Sequence, residues 1–400
     1  MKHLVVIGLV IPEPASTAAG HRMMQLMQLF SEVDYKITFL TASNNIEFSE
    51  RIEIQKIEIN NESFDEKIRD LNPDVVLFDR YVTEEQFGWR VSESCPNAVK
   101  IIDTEDLHFL REARRKAFVE KRVVNKKDLI NDVFVREIAS ILRCDLSLII
   151  SEFEYDLLVD DFKINPNLLF YIPFLTDGFE KSKRLFEDRK HFISIGNFLH
   201  EPNWQTVLKL KQIWKSIKKQ LPEAELHIYG AYTSQKVLEL HNDKDGFLVK
   251  GRADSVEEIF NQAKVLLAPI PFGAGLKGKL WESMKFGLPN VTSSIGAEAM
   301  HGDLVWNGFI EDSDEVFVEK AVELYQNENV WNQAQENGYQ ILDSLFRKDL
   351  FADSFISRVS ELVENLHNHR TENYLGKILQ HQQLNSTKYM SRWIEEKNKK

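Results

Sequence analysis

The sequence predicts an α/β protein made of two consecutive parallel-sheet domains followed by helices. Three observations carry this. Apolar runs of four to six residues alternate with longer stretches of helical periodicity, the pattern of strands buried on both faces beneath helices. The series breaks at the turn-rich Tyr171-Ile172-Pro173-Phe174-Leu175-Thr176-Asp177-Gly178 and then starts again. The chain has 400 residues, 43% hydrophobic and 28% charged, which is enough to fill two cores.

The first domain is expected over 1–172. Leu4–Ile7 reads as its first strand, and Gly20–Phe30 as a helix with Met23, Met24, Met27 and Phe30 on its apolar side. Lys36–Leu40, Asp74–Phe78, Val99–Ile102 and Leu146–Ile150 read as further strands. Met1-Lys2 ahead of the apolar run Leu4–Ile11 also fits a short signal peptide. The buried strand is the preferred reading. The second domain is expected over 173–330. Its strands are Phe192–Ile195, Glu225–Tyr229, Phe247–Val249, Val265–Ala268 and Asn290–Thr292. Its helices are Trp204–Gln220, Ser234–His241, Val256–Gln262 and Leu276–Phe286. Helices Val330–Ser344 and Asp349–Leu366 should pack on the domains over 331–366, and 367–400 reads as a basic helical tail around Tyr374–Lys397. Two such domains joined by a short linker imply a ligand cleft between them.

Composition excludes several function classes. Fifty Lys and Arg against 62 Asp and Glu give a net charge of −12, which disfavours wrapping nucleic acid. The two cysteines, Cys95 and Cys144, form no metal or disulfide pattern and fit a reducing compartment. No apolar run approaches the ~18 residues that span a bilayer. The expected location is cytoplasmic.

One segment carries chemistry. Ala268-Pro269-Ile270-Pro271-Phe272-Gly273-Ala274-Gly275-Leu276-Lys277-Gly278-Lys279-Leu280-Trp281-Glu282 follows a strand and opens a helix. Gly273 and Gly275 let backbone N–H groups approach an anion, and the helix N-terminus adds positive potential. Lys277 and Lys279 add full charges, and Glu282 can accept both hydrogen bonds of a ribose diol. Together these describe a seat for a nucleoside diphosphate. The plainer alternative is a tight strand–helix turn with surface lysines.

This stretch resembles the donor loop of glycosyltransferase family 4, in particular its subgroup reading G-A-G-x-K-G-K-x-x-E followed by G-x-P. Four further segments resemble the family: Asp103 through Glu112 (D-x-x-D-L-H-x-x-R-E) in the first domain, and in order Phe192 through Asn203, Val249 through Asp254, and Ser294 through Glu298 in the second. The resemblance implies a GT-B fold, in which two Rossmann-like domains face each other across a cleft. It implies transfer of a sugar from a nucleoside diphosphate sugar, with retention and without a metal, to a glycan or lipid-linked acceptor in envelope polysaccharide synthesis. By the same resemblance Glu282 binds the donor ribose, and Lys277, helped by Lys279, neutralises the diphosphate and acts in catalysis. The N–H groups of Gly273 and Gly275 assist, and Gly20 sits under the diphosphate from the opposite domain. Asn197, His200, Asn203, Gly230, Arg252 and Glu298 complete the donor side.

Three departures stand out. Ala274 occupies the position where the wider family has a first Glu. The loop after Ile195 offers Asn197, His200 and Asn203 in place of an Arg and a Lys. The strand that often ends in a His ends here in Asp103-Thr104-Glu105-Asp106, so Asp103 and Asp106 become the acceptor-side candidates. Asp106 also suits an N-cap. These departures motivate the alternative of a catalytically silent GT-B module with a binding or scaffolding role. A nicotinamide dehydrogenase fails because no G-x-G-x-x-G follows the first strand and the second ends in Thr41 rather than an acid. A GT-B sugar epimerase is a further alternative, which product analysis would separate.

Two basic stretches are candidate contacts for an anionic membrane surface. Residues 111–127 hold eight Lys or Arg against two Glu, and 367–400 hold seven Lys or Arg against three Glu. The alternative for each is a solvated helix face. The histidines outside these motifs show no ligand spacing for a metal.

Overall fold

The computed structural model describes residues 1–13, 17–43 and 52–381, together with positions 389, 390, 393 and 397. The first sheet has seven parallel strands: β1 (His3–Gly8), β2 (Lys36–Thr41), β3 (Glu53–Lys56), β4 (Val75–Asp79), β5 (Val99–Asp103), β6 (Leu146–Ile149) and β7 (Leu169–Tyr171), in the order β3-β2-β1-β4-β5-β6-β7. The second has six: β8 (Lys190–Ile195), β9 (Leu226–Tyr229), β10 (Phe247–Gly251), β11 (Ala263–Ala268), β12 (Asn290–Thr292) and β13 (Gly308–Ile310), ordered β10-β9-β8-β11-β12-β13. Each sheet reverses its direction of growth once, at β1/β4 and at β8/β11.

The first-domain helices are α1 (Ala18–Ser31), α2 (Ser63–Leu71), α3 (Arg80–Ser94), α4 (His108–Val119), α5 (Lys126–Leu129), α6 (Asp132–Arg143) and α7 (Glu152–Asp156). The second domain carries α8 (Glu201–Gln220), α9 (Gln235–Leu238), α10 (Val256–Gln262), α11 (Gly278–Lys285), α12 (Ser294–Ala297), α13 (Asp314–Gln326) and α14 (Glu328–Leu345). The chain closes with α15 (Ala352–Glu372) and α16 (Tyr374–Gln380). Most of the expected helix over 374–397 beyond Gln380 lies outside the described residues.

The long apolar runs become central strands. All six residues of β1 are buried. Leu4 and Val6 face α1, where Met23, Met27 and Phe30 pack, while Val5 and Ile7 face Phe78 and Phe87 on the other side. At α1 the Thr17 side chain accepts from the Gly20 N–H at 2.9 Å, an N-cap. Strands β3, β7 and β13 lie at or near sheet edges and were not anticipated, because three or four half-exposed residues leave little periodic signal.

After the second domain the chain returns to the first. Phe355, Val359, Leu362 and Leu366 of α15 join the core of Val6, Met27 and Phe30. The crossing is hydrogen-bonded to the interdomain linker, with Thr176 N–H donating to Phe346 O at 2.8 Å and Lys348 N–H to Thr176 O at 2.9 Å. No helix among the described residues is long and apolar enough to cross a membrane.

Candidate active site

The C-terminal ends of both sets of strands converge on a cavity of about 310 Å³. Arg80 follows β4, and Glu105 and Asp106 follow β5. From the second domain Asn197 follows β8, Gly230 follows β9, Arg252 follows β10 and Gly273 follows β11. Strand ends beside a reversal point leave a crevice, since the flanking helices diverge to opposite faces.

The glycine-rich loop before α11 reaches this cavity, although not every residue expected to face a ligand does. Gly273, Lys277, Lys279 and Glu282 line the cavity. Lys277 is the residue that precedes α11, and its Nζ donates to Gly275 O at 2.6 Å and Ala274 O at 3.3 Å. Burial depresses Lys277 to about 8 and Lys279 to about 8, and raises Glu282 to about 7. Gly275 does not. Its N–H donates to Glu154 Oε1 at 2.8 Å, so it is already committed to the first domain and not offered to an anion. Glycine is required there because φ is +61° and a Cβ would lie 2.8 Å from Asp106 Cβ.

The loop after β8 works through Lys279. Asn203 Oδ1 accepts from Lys279 Nζ at 2.7 Å, while its Nδ2 donates to Asn197 O at 2.8 Å. Asn197 and Asn203 therefore aim the lysine. A Cβ on Gly196 would lie 2.6 Å from the Asn203 side chain, which explains the glycine. His200 lines the cavity and is biased toward the neutral form by burial and by Arg111.

Besides Gly275, three expected positions fall outside the cavity lining. Gly20 lies in the first turn of α1 rather than in a loop, and a Cβ there would strike the Glu13 backbone at 2.5 Å. Thr17, Ala18 and His21 face the cavity instead. Asp103 is fully buried behind the wall, accepting from Arg22 Nε at 3.0 and 3.1 Å. Glu298 accepts two bonds from Arg114, at 2.7 and 2.8 Å.

Asp106 lines the cavity and does not cap α4, whose flanking residue is Leu107. Arg111 donates to it at 2.7 and 2.5 Å and His108 Nε2 lies 3.2 Å away. Burial opposes its ionisation, but Arg111, His108 and Lys277 outweigh that and hold the carboxyl low. The start of α4 is satisfied by two buried acids. Glu137 accepts from the His108 and Phe109 N–H groups at 3.1 and 3.0 Å, and Glu154 accepts from Leu107 N–H at 3.0 Å.

Arg114 connects the domains. Besides Glu298 it donates to Gly273 O at 2.8 Å, holding the glycine-rich loop against α4. Arg114→Ala should lower kcat/KM about tenfold or more, because it strands Glu298 and frees the loop at a cost of about 1–3 kcal/mol. Arg114→Lys should not restore it, since an ammonium cannot make the two-pronged contact. Steady-state kinetics checks this. Of the eight basic residues over 111–127, five are in ion pairs: Arg111, Arg114, Arg115, Arg122 and Lys126. The basic surface is thus weaker than the sequence implies, because Asp106, Asp128, Asp161 and Glu298 come from outside the run or from its far side.

Among the described residues, His191, Glu225 and His227 are the group whose ligand atoms approach within 4.8 Å of one another. Strands β8 and β9 bring them together at the sheet end opposite the cavity, which sequence spacing does not reveal. Arg80, His21 and Trp281 also line the cavity and were missed. Arg80 had one signal, its position directly after a strand.

Residues 189–327 match the family described as Glycosyl transferases group 1. No curated protein sequence matches the chain. Among solved structures, a sucrose-phosphate synthase from Thermosynechococcus elongatus is similar at TM-score 0.68 and 14% identity, covering 90% of this chain and 99% of that one. The pneumococcal O-GlcNAc transferase GtfA in complex with UDP and GlcNAc is similar at TM-score 0.68 and 15% identity, with the same coverage. WaaG, a glycosyltransferase involved in lipopolysaccharide biosynthesis, is similar at TM-score 0.59 and 11% identity, covering 90% and 98%. Two parallel-sheet domains, C-terminal helices and these neighbours together are the GT-B fold.

Proposed function

We propose that the protein is a retaining glycosyltransferase that moves a sugar from a nucleoside diphosphate sugar to a glycan or lipid-linked acceptor in envelope polysaccharide synthesis, with no metal. One observation carries this reading: two half-buried lysines, Lys277 and Lys279, flank the start of α11 in an interdomain cavity, with Glu282 one turn on. Partly burying two cations side by side is costly, and the neighbouring Glu298, Glu154, Asp106 and Glu282 offset only part of that cost, which leaves room for a further anion. A diphosphate supplies it. When the sugar–oxygen bond breaks, the electron pair goes to the diphosphate, and the two ammonium groups stabilise that charge. Glu282 would take the ribose diol. The UDP bound to GtfA and the lipopolysaccharide role of WaaG support the donor and pathway parts of the proposal.

A nucleoside diphosphate from a panel of uridine, guanosine, adenosine and thymidine forms should stabilise the fold in thermal shift. If none does, the proposal fails. Binding should also depend on pH in a defined direction. Lys277 and Lys279 must be charged, so affinity should be lost as pH rises through about 8. Glu282 must be ionised, so affinity should also fall as pH drops through about 7. Calorimetry at pH 8.5 in buffers of differing ionisation enthalpy should show proton uptake on binding (roughly one pH unit above neutrality is where the lysines are partly neutral).

For a lipid-linked acceptor, the proposed membrane contact is the end of α4 and the turn after it. Val119 and Val123 are exposed there beside Lys116 and Lys121. Flotation with anionic vesicles at low salt tests it, and the tail over 367–400 is the second candidate. The proposed location is the cytoplasm, at the inner membrane face.

A further inference from the structure

The second sheet carries a side-chain cluster that the transfer reaction leaves without a task. His191 lies at the start of β8, Glu225 directly precedes β9, and His227 lies near the start of β9. All three sit at the end of the strands opposite the cavity, which is formed around the C-terminal ends. Glu225 and His227 are two positions apart on one extended segment and so share a face. Parallel pairing of β8 with β9 brings His191 beside them.

The three side chains aim ligand atoms at one point. A single carboxylate oxygen of Glu225, Oε2, lies 3.4 Å from His191 Nδ1 and 2.8 Å from His227 Nε2. The two imidazole rings stack with centroids 4.3 Å apart and planes inclined by 23°. All three ligand atoms lie within 4.8 Å of one another. Zinc holds nitrogen and oxygen ligands at about 2.0–2.2 Å, which sets tetrahedral neighbours about 3.4 Å apart. The His191–Glu225 separation already has that value. The His227–Glu225 separation is that of a hydrogen bond, and a small side-chain rotation would open it to admit an ion.

The backbone and the surroundings fit a built site. His191 has φ +64° although it lies within a strand, a conformation that persists only where its surroundings impose it. The Tyr325 ring of α13 stacks on the adjacent Phe192 at 4.5 Å and fixes the segment. The side chains of His191, Glu225 and His227 are 37%, 40% and 13% exposed, so an ion can enter from solvent and water can complete its shell. Lys190 and Lys250 lie nearby and weaken the pull on any cation. Coordination by the two imidazoles, rather than net charge, must then supply the affinity. That selects zinc over magnesium and calcium, which take oxygen ligands.

We propose that His191, Glu225 and His227 form a binding site for Zn2+, with water as the fourth ligand, that ties β8 to β9 at the end of the second domain away from the cleft. The site is structural, takes no part in sugar transfer, and does not depend on the glycosyltransferase reading.

The test titrates the full chain, untagged and stripped with a chelator, with Zn2+ by calorimetry. Each of His191→Ala, His227→Ala and Glu225→Gln should weaken the binding seen in wild type at least tenfold, since losing a ligand costs no less than the roughly 10–100-fold of losing a group that supports one. His241→Ala, at a partly exposed histidine outside the cluster, should leave it unchanged. Co2+ should give the visible absorption of a four-coordinate ion in wild type and lose it in the three variants. Zn2+ should raise the thermal midpoint of wild type but not of the variants, and Mg2+ should raise neither. Equal midpoints without metal show that the variants are folded, and His227→Gln, which can keep a bond to Glu225, replaces His227→Ala if that midpoint falls. No Zn2+ uptake by wild type overturns the proposal. Uptake that the three variants leave intact, or that His241→Ala removes as well, also overturns it, and the cluster is then a hydrogen-bonded one only. Nucleoside diphosphate binding is a separate measurement, so failure here leaves the glycosyltransferase reading standing.

Discussion

Lys277→Met should lower kcat/KM for the donor about a hundredfold and leave the empty protein as stable as wild type, or more so. The two halves of this expectation have one cause. Lys277 sits at the entry to α11 with its ammonium group out of bulk water, and desolvation is the largest influence on its depressed pKa of about 8. Glu298, Glu154 and Asp106 draw the charge back toward stability, while Arg114 opposes it. In the unfolded chain the same lysine is fully solvated. At neutral pH the folded, empty site therefore carries a penalty that methionine removes. The sign follows directly: a lysine lowered on folding destabilises below its folded pKa, and the penalty fades as pH rises from about 8 toward the unfolded value. A bound diphosphate reverses this, because it supplies the missing counter-charge. Removing the ammonium then costs about 3 kcal/mol of interaction with the developing negative charge, the order measured for preorganised donors. Thermal denaturation without ligand and steady-state kinetics with it separate the two halves. A variant that loses activity and stability together would make Lys277 a structural residue.

Arg22→Ala should destabilise the protein by about 3–5 kcal/mol, the largest stability loss expected from a single substitution here. Arg22 is 1% exposed and Asp103 is 0% exposed. The guanidinium donates from Nε to both carboxylate oxygens and from Nη1 to Ile172 O at 2.7 Å and Pro173 O at 3.2 Å. It thereby ties α1, the end of β5 and the interdomain linker together. Alanine would leave Asp103 buried beside Asp79 without its counter-charge, and two linker carbonyls without a donor. Asp103→Asn should cost less, because the amide stays neutral and still accepts. Urea denaturation resolves the difference, and equal losses in the two variants would contradict the pairing argument.

Periodicity made most of the architecture readable. Continuous apolar runs such as Leu4–Ile7 and Val75–Phe78 cannot be solvated on either face, so they had to become central strands of covered sheets. The short edge strand β3 carries half-exposed residues, and nothing in it distinguishes strand from loop. The cationic loop before α11 was readable for a local reason: glycines, two lysines and a glutamate fall within ten residues, and one strand–helix turn places them together. The opposite wall was not. Arg80 and Glu105 are 25 positions apart in sequence and meet because β4 and β5 are hydrogen-bonded neighbours.

The sequence by itself determined two covered parallel sheets, a glycine-hinged cationic turn at the second of them, and the linker between them. Those features depend on residues within one turn or one strand of each other. Only the tertiary structure decided which side chains are already occupied. Asp103 is spent on Arg22, Glu298 on Arg114, and the Gly275 N–H on Glu154, each partner lying more than 80 positions away. Availability to a ligand is set by what remains unpaired after long-range packing, which no local stretch of sequence reveals.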